Sequence, residues 1–451
     1  MEERILELLE AKDYSTLKQF LSEETPQDLA AAIGKLDEST IPVVFRVLPK
    51  ELAAETFVEM DSAEQELLIK SFSDSQLKEI FDELFMDDTV DIIEEMPANV
   101  VKRILKSADQ EKRKQINELL NYPEDSAGSV MTTEYVTLRP AMTVMEAILR
   151  IRRTVVDKET VYTCYVTSSD RILLGVVTVK DLLVADDNAV VADIMETHVI
   201  YAGTNENKEE VAREMSKYDL LAIPVVDNEK RLVGIVTFDD AIDVIEEATT
   251  EDIEKMAALV PSDKPYLKTS VLEIWKNRIP WLLLLMVSAT FTGQIINHFE
   301  SALAGSVILT AFIPMLMDTG GNAGSQASVT IIRGMALSEI SMKNILIIIW
   351  KELRVSLLCG IVLAVANFIK ILVVDNLIFG NDISMSVAAV VCITLVVVVF
   401  TAKIIGSTLP ILAKRIGFDP AVMASPFITT IVDAIALLVY FNIAKLLIEN
   451  L

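Results

Sequence analysis

Residues 384–410 read SMSVAAVVCITLVVVVFTAKIIGSTLP, and this stretch decides the class of fold. A helix needs about 20 predominantly apolar residues to cross the hydrocarbon core of a bilayer. Four further apolar stretches of similar length lie at roughly 280–297, 303–331, 353–374 and 421–447. Residues 279–451 are therefore predicted to form an α-helical membrane domain of five transmembrane helices.

The charge distribution separates this domain from a soluble front half. Residues 1–275 carry 57 of the 66 acidic and 29 of the 40 basic residues, whereas residues 276–451 are close to neutral. Such an acidic body is unsuited to nucleic acid, because binding phosphates needs a basic face. The chain has three cysteines, two histidines and a charged N-terminus. These features predict no disulfide framework, no His/Cys metal site and no signal peptide.

The basic residues between the apolar stretches predict an orientation in the membrane. The loop between the second and third stretches carries Arg333, Lys343, Lys351 and Arg354, and the loop between the fourth and fifth carries Lys414 and Arg415. The loops on the opposite side are poor in basic residues. By the positive-inside rule, the basic loops share the cytosolic side with the acidic body. We expect a multi-pass protein of the cell membrane, and an odd number of spans puts its C-terminus outside the cytoplasm.

Two patterns divide the front half. Residues 1–129 carry apolar residues at helical spacing, which predicts an all-α superhelical N domain of short amphipathic helices. Residues 130–187 and 188–247 alternate strand and helix patterns, and LGVVTVKDL at 174–182 is echoed by VGIVTFDDA at 233–241. The two copies resemble tandem CBS domains, which are small α/β modules. Residues 248–278 are charged and predict a connecting helix that leads into the membrane.

Two of the apolar stretches contain polar side chains that a lipid-facing helix would not collect. One includes PMLMDTGGNAGSQAS at 314–328, and the other begins SPFITTIVD at 425–433. Glycine-rich, polar segments at membrane depth either line a cavity or pack closely on another helix. The amides and the acid at Asp318 favour cavity lining. Asp433 costs a few kcal/mol in a membrane span, so it is predicted to face protein, water or an ion.

These strings, with YPEDSAGSVM at 122–131 and GSTLPILAKRIGFDPA at 406–421, resemble the MgtE family of magnesium channels. The resemblance covers essentially the whole chain. It implies a homodimer with one pore on the two-fold axis, where hydrated Mg²⁺ meets two carboxylates. Mg²⁺ dehydrates reluctantly, which suits that arrangement. Asp419 has an alternative role as a helix-capping acid. The implied pore and ion-binding residues are Asp433, Thr429, Ser425, Ser325, Asn322, Gly321 and Asp419.

The same resemblance implies regulation by intracellular Mg²⁺, which bridges acids of the N domain, the CBS pair and the connecting helix. The candidate acids are Asp87, Asp88, Asp91, Asp240, Asp243, Glu246, Glu247, Glu251 and Asp252. An adenine nucleotide such as ATP is a second predicted ligand, held by Thr178 and Asp181 or by Thr237 and Asp240. The two roles of Asp240 conflict, because one carboxylate does not easily serve both ribose and metal.

The sequence thus predicts a Mg²⁺-selective channel that is closed by intracellular Mg²⁺ and serves magnesium homeostasis. No phosphate-binding Gly-x-x-x-x-Gly-Lys motif and no catalytic His/Cys/Ser constellation is present, so we expect no enzyme activity. Two alternatives stay open. One is a broader divalent cation transporter whose main cargo is Co²⁺ or Ni²⁺. The other is a membrane-anchored CBS nucleotide sensor that conducts no ion.

Overall fold

A computed structural model describes residues 1–155, 158–262, 266–267, 269–299, 307–423 and 425–448, with the side chain of Ser425 excepted. The chain divides into two compact units, Met1–Glu246 and Glu247–Leu451. Each unit is described by itself.

Residues 1–119 form ten short helices. Polar caps begin several of them: the Asp13 carboxylate accepts the Thr16 N–H, and Ser73 and Gln76 form a reciprocal capping box. Caps of this kind satisfy the free N–H groups of a helix start. Apolar side chains at helical spacing fill one core. The helices are α1 Glu2–Glu10, α2 Tyr14–Leu21, α3 Pro26–Ile33, α4 Ile41–Phe45, α5 Lys50–Val58, α6 Ser62–Ser71, α7 Asp74–Glu83, α8 Met86–Glu95, α9 Ala98–Ser107 and α10 Gln110–Leu119.

Two three-stranded sheets of the same topology follow, as the sequence repeat predicts. In each, the first strand is parallel to the second and the second is antiparallel to the third. The strands are β1 Thr137–Leu138, β2 Thr163–Thr167, β3 Leu173–Thr178, β4 Ala202–Gly203, β5 Ala222–Val226 and β6 Leu232–Thr237. The helices are α11 Val144–Thr154, α12 Val179–Val184, α13 Val191–Ile194, α14 Lys208–Lys217 and α15 Phe238–Met256.

The repeated motif places a threonine at the junction of strand and helix in both copies. Thr178 ends β3 and caps α12, and Thr237 ends β6 directly before α15. Each motif glycine sits where a side chain would collide with another segment. A Cβ at Gly175 would lie 2.7 Å from the Glu196 carbonyl oxygen, and one at Gly234 would lie 2.9 Å from that of Thr132.

The second unit is helical. Among its described residues, four segments are long and apolar enough to cross a membrane: Val271–His298, Met342–Ile378, Met385–Arg415 and Ala421–Leu447. The predicted stretch 303–331 overlaps a fifth helix whose polar residues lower its hydropathy, and its residues 303–306 lie outside the described residues. Five spans therefore remain a prediction. The helices are α16 Val271–His298, α17 Ile313–Ala336, α18 Ile345–Lys370, α19 Met385–Arg415 and α20 Ser425–Leu447.

Glycines bring α17 into close contact with α19 and α20. A Cβ at Gly406 of α19 would collide with the backbone of Gly324 in α17. A Cβ at Gly321 would lie 2.9 Å from the Thr429 methyl group of α20. Small residues that let helix backbones approach are a common device in membrane bundles. The glycines of 314–328 thus serve helix packing, while Asp318, Asn322 and Gln326 of the same segment are exposed in the protomer.

Candidate ion-binding sites

Helix α17 presents one polar face and one packed face. Gly320, Gly321 and Gly324 are buried, whereas Asp318 and Asn322 are exposed in the protomer. The Asn322 amide donates a hydrogen bond of 3.1 Å to the Asp318 carboxylate, one helical turn away. The packed glycines and the exposed polar side chains therefore lie on different sides of one helix, so close packing does not exclude the predicted cavity lining.

Asp433 lies half-buried on α20 and interacts electrostatically with Asp318 of α17. Two carboxylates from different helices therefore face the same region of the membrane unit. Two like charges in an apolar surrounding repel unless a cation lies between them. From the sequence, Asp318 was only a sign of cavity lining, whereas in the structure it acts electrostatically on the predicted pore acid.

The other predicted pore residues have less open surroundings. The Thr429 hydroxyl donates to the Pro426 carbonyl oxygen at 2.9 Å, which leaves its oxygen available only as an acceptor. Gly321 is buried against Thr429, in a packing position. Ser325 is half-buried, and the side chain of Ser425 lies outside the described residues. Their roles in ion binding stay predictions.

Asp419 has two partners in the structure. Its carboxylate accepts the Ala421 N–H at 2.8 Å, which is the capping role considered from the sequence. It also pairs with the Lys255 ammonium at 2.7 Å, and Lys255 pairs in turn with Glu251 at 2.6 Å. Lys255 thus compensates the charge of two predicted ion-binding acids. No feature of the sequence around Lys255 predicted this role.

A second group of acids lies in the first unit, around Asp87 and Asp88 of α8 and Asp240 of α15. Burial and the neighbouring Asp240 hold the pKa of Asp87 well above its usual range. Burial, Asp240 and Asp91 raise the pKa of Asp88 to about 7. Burial raises the pKa of Asp240 to about 6, although a hydrogen bond from Thr237 opposes the shift. Desolvation and repulsion between like charges both favour the neutral acid.

Glu159 completes this acidic group, and sequence reasoning missed it. Burial, Asp88 and Asp239 raise its pKa to about 8, and its Oε2 atom is buried without a hydrogen-bond partner among the described residues. Glu159 follows α11 in a segment without motif or periodicity, so only the fold brings it here. The described residues contain no set of three or more acidic, His or Cys side chains already arranged around a metal position.

The remaining predicted regulatory acids lie mostly on α15. Asp243 interacts with Asp240, and Asp91 interacts with Asp88. Glu246 and Glu247 are exposed, and Glu251 and Asp252 are half-buried. Asp91 and Asp243 thus belong to the acidic group of the first unit.

The two threonine–aspartate pairs of the repeat differ in their surroundings. The Thr178 hydroxyl donates to the Asp181 carboxylate at 2.5 Å, and Asp181 is exposed. Thr237 donates likewise to Asp240, which lies among acids. The additional acids around Asp240 repel a negatively charged phosphate. The first pair is therefore the better candidate for a nucleotide.

Comparison with known proteins assigns the domains of this chain to known families. A family model described as a divalent cation transporter matches residues 313–443, one described as the MgtE intracellular N domain matches 24–125, and CBS domains match 127–188 and 191–247. The magnesium transporter MgtE of Thermus thermophilus is 38% identical over 100% of both chains. The chain belongs to the MgtE family. The Bacillus subtilis magnesium transporter MgtE is 32% identical over 99% of this chain and 97% of its own length.

A solved structure supports the assignment of the front half to MgtE. The crystal structure of the cytosolic domain of the Mg²⁺ channel MgtE in complex with ATP is 40% identical, covers 54% of this chain and 100% of its own, and has a TM-score of 0.52. The predicted family, the cytosolic N domain with its CBS pair and the transport class are confirmed for this MgtE-family chain.

Proposed function

We propose that this chain is a Mg²⁺ channel that is closed by cytosolic Mg²⁺ and has no enzyme activity. The observation that carries the pore part is the electrostatic interaction between two acids, Asp433 and Asp318, on two helices of the membrane unit. A hydrated Mg²⁺ held by carboxylates through its water shell would relieve the repulsion between them. Thr429, Ser425, Ser325 and Asn322 supply further oxygen acceptors along the same helices.

The polar face of α17 supports a homodimer with five spans per protomer. Asp318, Asn322 and Gln326 are exposed in the protomer, and polar groups in contact with lipid are costly. A second copy that covers this face would enclose a pore lined by it. Helix α17 packs against α19 and α20, which are two of the apolar spans. We therefore count α17 as the fifth span. With the acidic body in the cytosol, the C-terminus then lies outside.

Regulation is assigned to the acidic group of the first unit. In the absence of metal, its members keep part of their protons near neutral pH, as the raised pKa values of Asp88 and Glu159 indicate. A divalent cation would replace those protons and join α8 to α15. The exposed Thr178–Asp181 pair would bind the ribose and phosphates of ATP, which leaves Asp240 to the metal.

The test of this function is uptake of Mg²⁺ by proteoliposomes that contain the purified full-length chain. We expect Asp433→Asn to abolish uptake and Glu339→Gln, a change of an exposed acid outside the site, to leave it intact. Patch recordings with varied internal Mg²⁺ should show current that falls as internal Mg²⁺ rises.

Other outcomes distinguish the alternatives. Uptake of Co²⁺ or Ni²⁺ in preference to Mg²⁺ would favour the broader divalent transporter, in keeping with the description of the family model. A correctly folded wild-type protein that passes no ion would favour the nucleotide sensor.

A further inference from the structure

The membrane unit contains a buried pair of opposite charges that the proposed pore does not use. Lys403 lies on α19 and Glu352 on α18, with side chains only 8% and 15% exposed. An isolated charge at such a position is costly, so buried charges in membrane helices are normally paired and functional. Both residues fall within segments long and apolar enough to span a bilayer.

The geometry of this pair is loose. The Lys403 ammonium and the Glu352 carboxylate are 3.8 Å apart, compared with 2.7 Å for Lys255 and Asp419 in the same unit. The Oε2 atom of Glu352 is buried and accepts no hydrogen bond from the described residues. A buried carboxylate oxygen without a donor is unfavourable. Glu352 therefore has unused capacity to bind a positively charged or hydrogen-bond-donating ligand.

The pair lines an open cavity of about 620 Å³. The cavity is bounded on the α17 side by Asn322, Ser325, Gln326 and Thr330, whose side chains offer amide and hydroxyl oxygens. A Mg²⁺ ion with six waters occupies roughly 180 Å³, at about 30 Å³ for each water. The cavity thus has room for a cation that keeps its hydration shell, and its oxygen-rich wall suits such an ion.

We propose that Glu352 binds a hydrated divalent cation in this cavity and that Lys403 is its displaceable counter-ion. The ammonium of Lys403 neutralises the carboxylate when no cation is present and competes with the cation when one arrives. The cavity shares Asn322 and Ser325 with the predicted pore, so this inference deepens the proposed function and rests on it. Lys403 would set the Mg²⁺ concentration at which transport saturates.

Two single substitutions separate competition from a structural ion pair. Proteoliposome uptake of Mg²⁺ is measured against external Mg²⁺ for the wild type, Lys403→Met and Glu352→Gln. We expect Lys403→Met to lower the half-saturating concentration roughly fivefold, since losing one competing charge pair is worth about 1 kcal/mol. Glu352→Gln should raise it by a similar factor, and the double variant should resemble Glu352→Gln.

Control variants test whether any neighbouring charge has the same effect. Lys351→Met removes an exposed lysine of α18, the helix that carries Glu352, and Glu339→Gln removes an exposed acid. Both should leave the half-saturating concentration unchanged. If Glu352→Gln does not fold, Glu352→Asp serves in its place, because it keeps the charge but moves it, and it should also raise the half-saturating concentration.

The outcomes are distinguishable from failure of the channel itself. A wild type that takes up no Mg²⁺ refutes the proposed function, and the inference falls with it. If the wild type transports Mg²⁺ but the two single variants change only the amount of folded protein or the maximal rate, the pair merely joins α18 to α19. That result overturns the inference and leaves the channel in place.

Discussion

Substitution of Asp88 by asparagine tests the acidic group of the first unit most directly. Asp88 is partly buried on α8 among acids, and its pKa is raised to about 7. Asparagine keeps the shape and the hydrogen-bonding capacity of the side chain and removes its charge. We therefore expect Asp88→Asn to stabilise α8 when metal is absent and to weaken its response to Mg²⁺.

The magnitude follows from the shift of the pKa. The pKa of Asp88 in the folded state is about 7, compared with an ordinary value of 3.8, and a tenfold difference in proton affinity corresponds to about 1.4 kcal/mol. Because the folded state holds this proton more tightly, the destabilisation is absent below about pH 4, grows as the pH rises and is complete above about pH 7. The upper bound is roughly 4 kcal/mol, and we expect about 2 kcal/mol because the neighbouring acids titrate together.

Hydrogen exchange of the full-length protein measures the free energy of local opening at Met86–Glu95. In metal-free buffer, the wild type should lose about 1 kcal/mol of protection between pH 5.5 and 7, after correction for the intrinsic exchange rate. Asp88→Asn should lose less. Added Mg²⁺ should restore protection in the wild type at pH 8, because a ligand that binds only the closed state stabilises it.

An exposed acid of the preceding helix provides the control. Asp82→Asn should exchange like the wild type at every pH. The reasoning is refuted if metal-free protection of α8 is independent of pH, or if Asp88→Asn lowers protection at pH 8 without metal. Mg²⁺ protection that survives the substitution at unchanged concentrations would remove Asp88 from the metal site.

Three further predictions concern packing, the Lys255 ion pair and the nucleotide. Gly406→Ala should cost several kcal/mol or prevent folding because its Cβ meets the backbone of Gly324, whereas Gly293→Ala, with no atom within 4 Å, should be tolerated in a thermal-stability assay. Lys255→Met should lower the free energy of local opening at the end of α15, measured by hydrogen exchange, by about 1 kcal/mol, and Lys255→Arg should leave it unchanged. Thr178→Ala should weaken ATP binding measured by calorimetry more than Thr178→Ser does, since serine keeps the hydroxyl that caps α12.

The fold was largely predictable because the length of the apolar stretches and the spacing of apolar residues indicate most of its helices and strands. The apolar stretches predicted five spans, and four of them coincide with helices that are long and apolar enough to cross a membrane. The repeated LGVVTVKDL-like motif predicted two similar α/β modules. The helix of 313–336 was harder to classify, because polar residues on one face lower the mean hydropathy while glycines on the other serve packing. Its status as a span therefore depends on its neighbours and not on its own composition.

The candidate sites were only partly predictable for a different reason. Asp433 stands out because an acid in an apolar stretch is rare, but its neighbour Asp318 lies over a hundred residues away in sequence. Glu159 and Lys403 carry no motif, and their significance comes from the side chains that folding brings to them. The sequence does carry one signal for Lys403, which is an ionisable residue in an apolar stretch.

The glycine contact between α17 and α19 restricts how this membrane unit can move. At Gly324 and Gly406 the two main chains meet without intervening side chains, so no rotamer change can loosen the junction. A change in the spacing of the two helices at this point would therefore have to move main chain and not side chains. Expansion of the bundle is easier at helix interfaces that flexible aliphatic side chains fill. A lipid or an inhibitor that binds at such an interface would change conductance without contacting the ion.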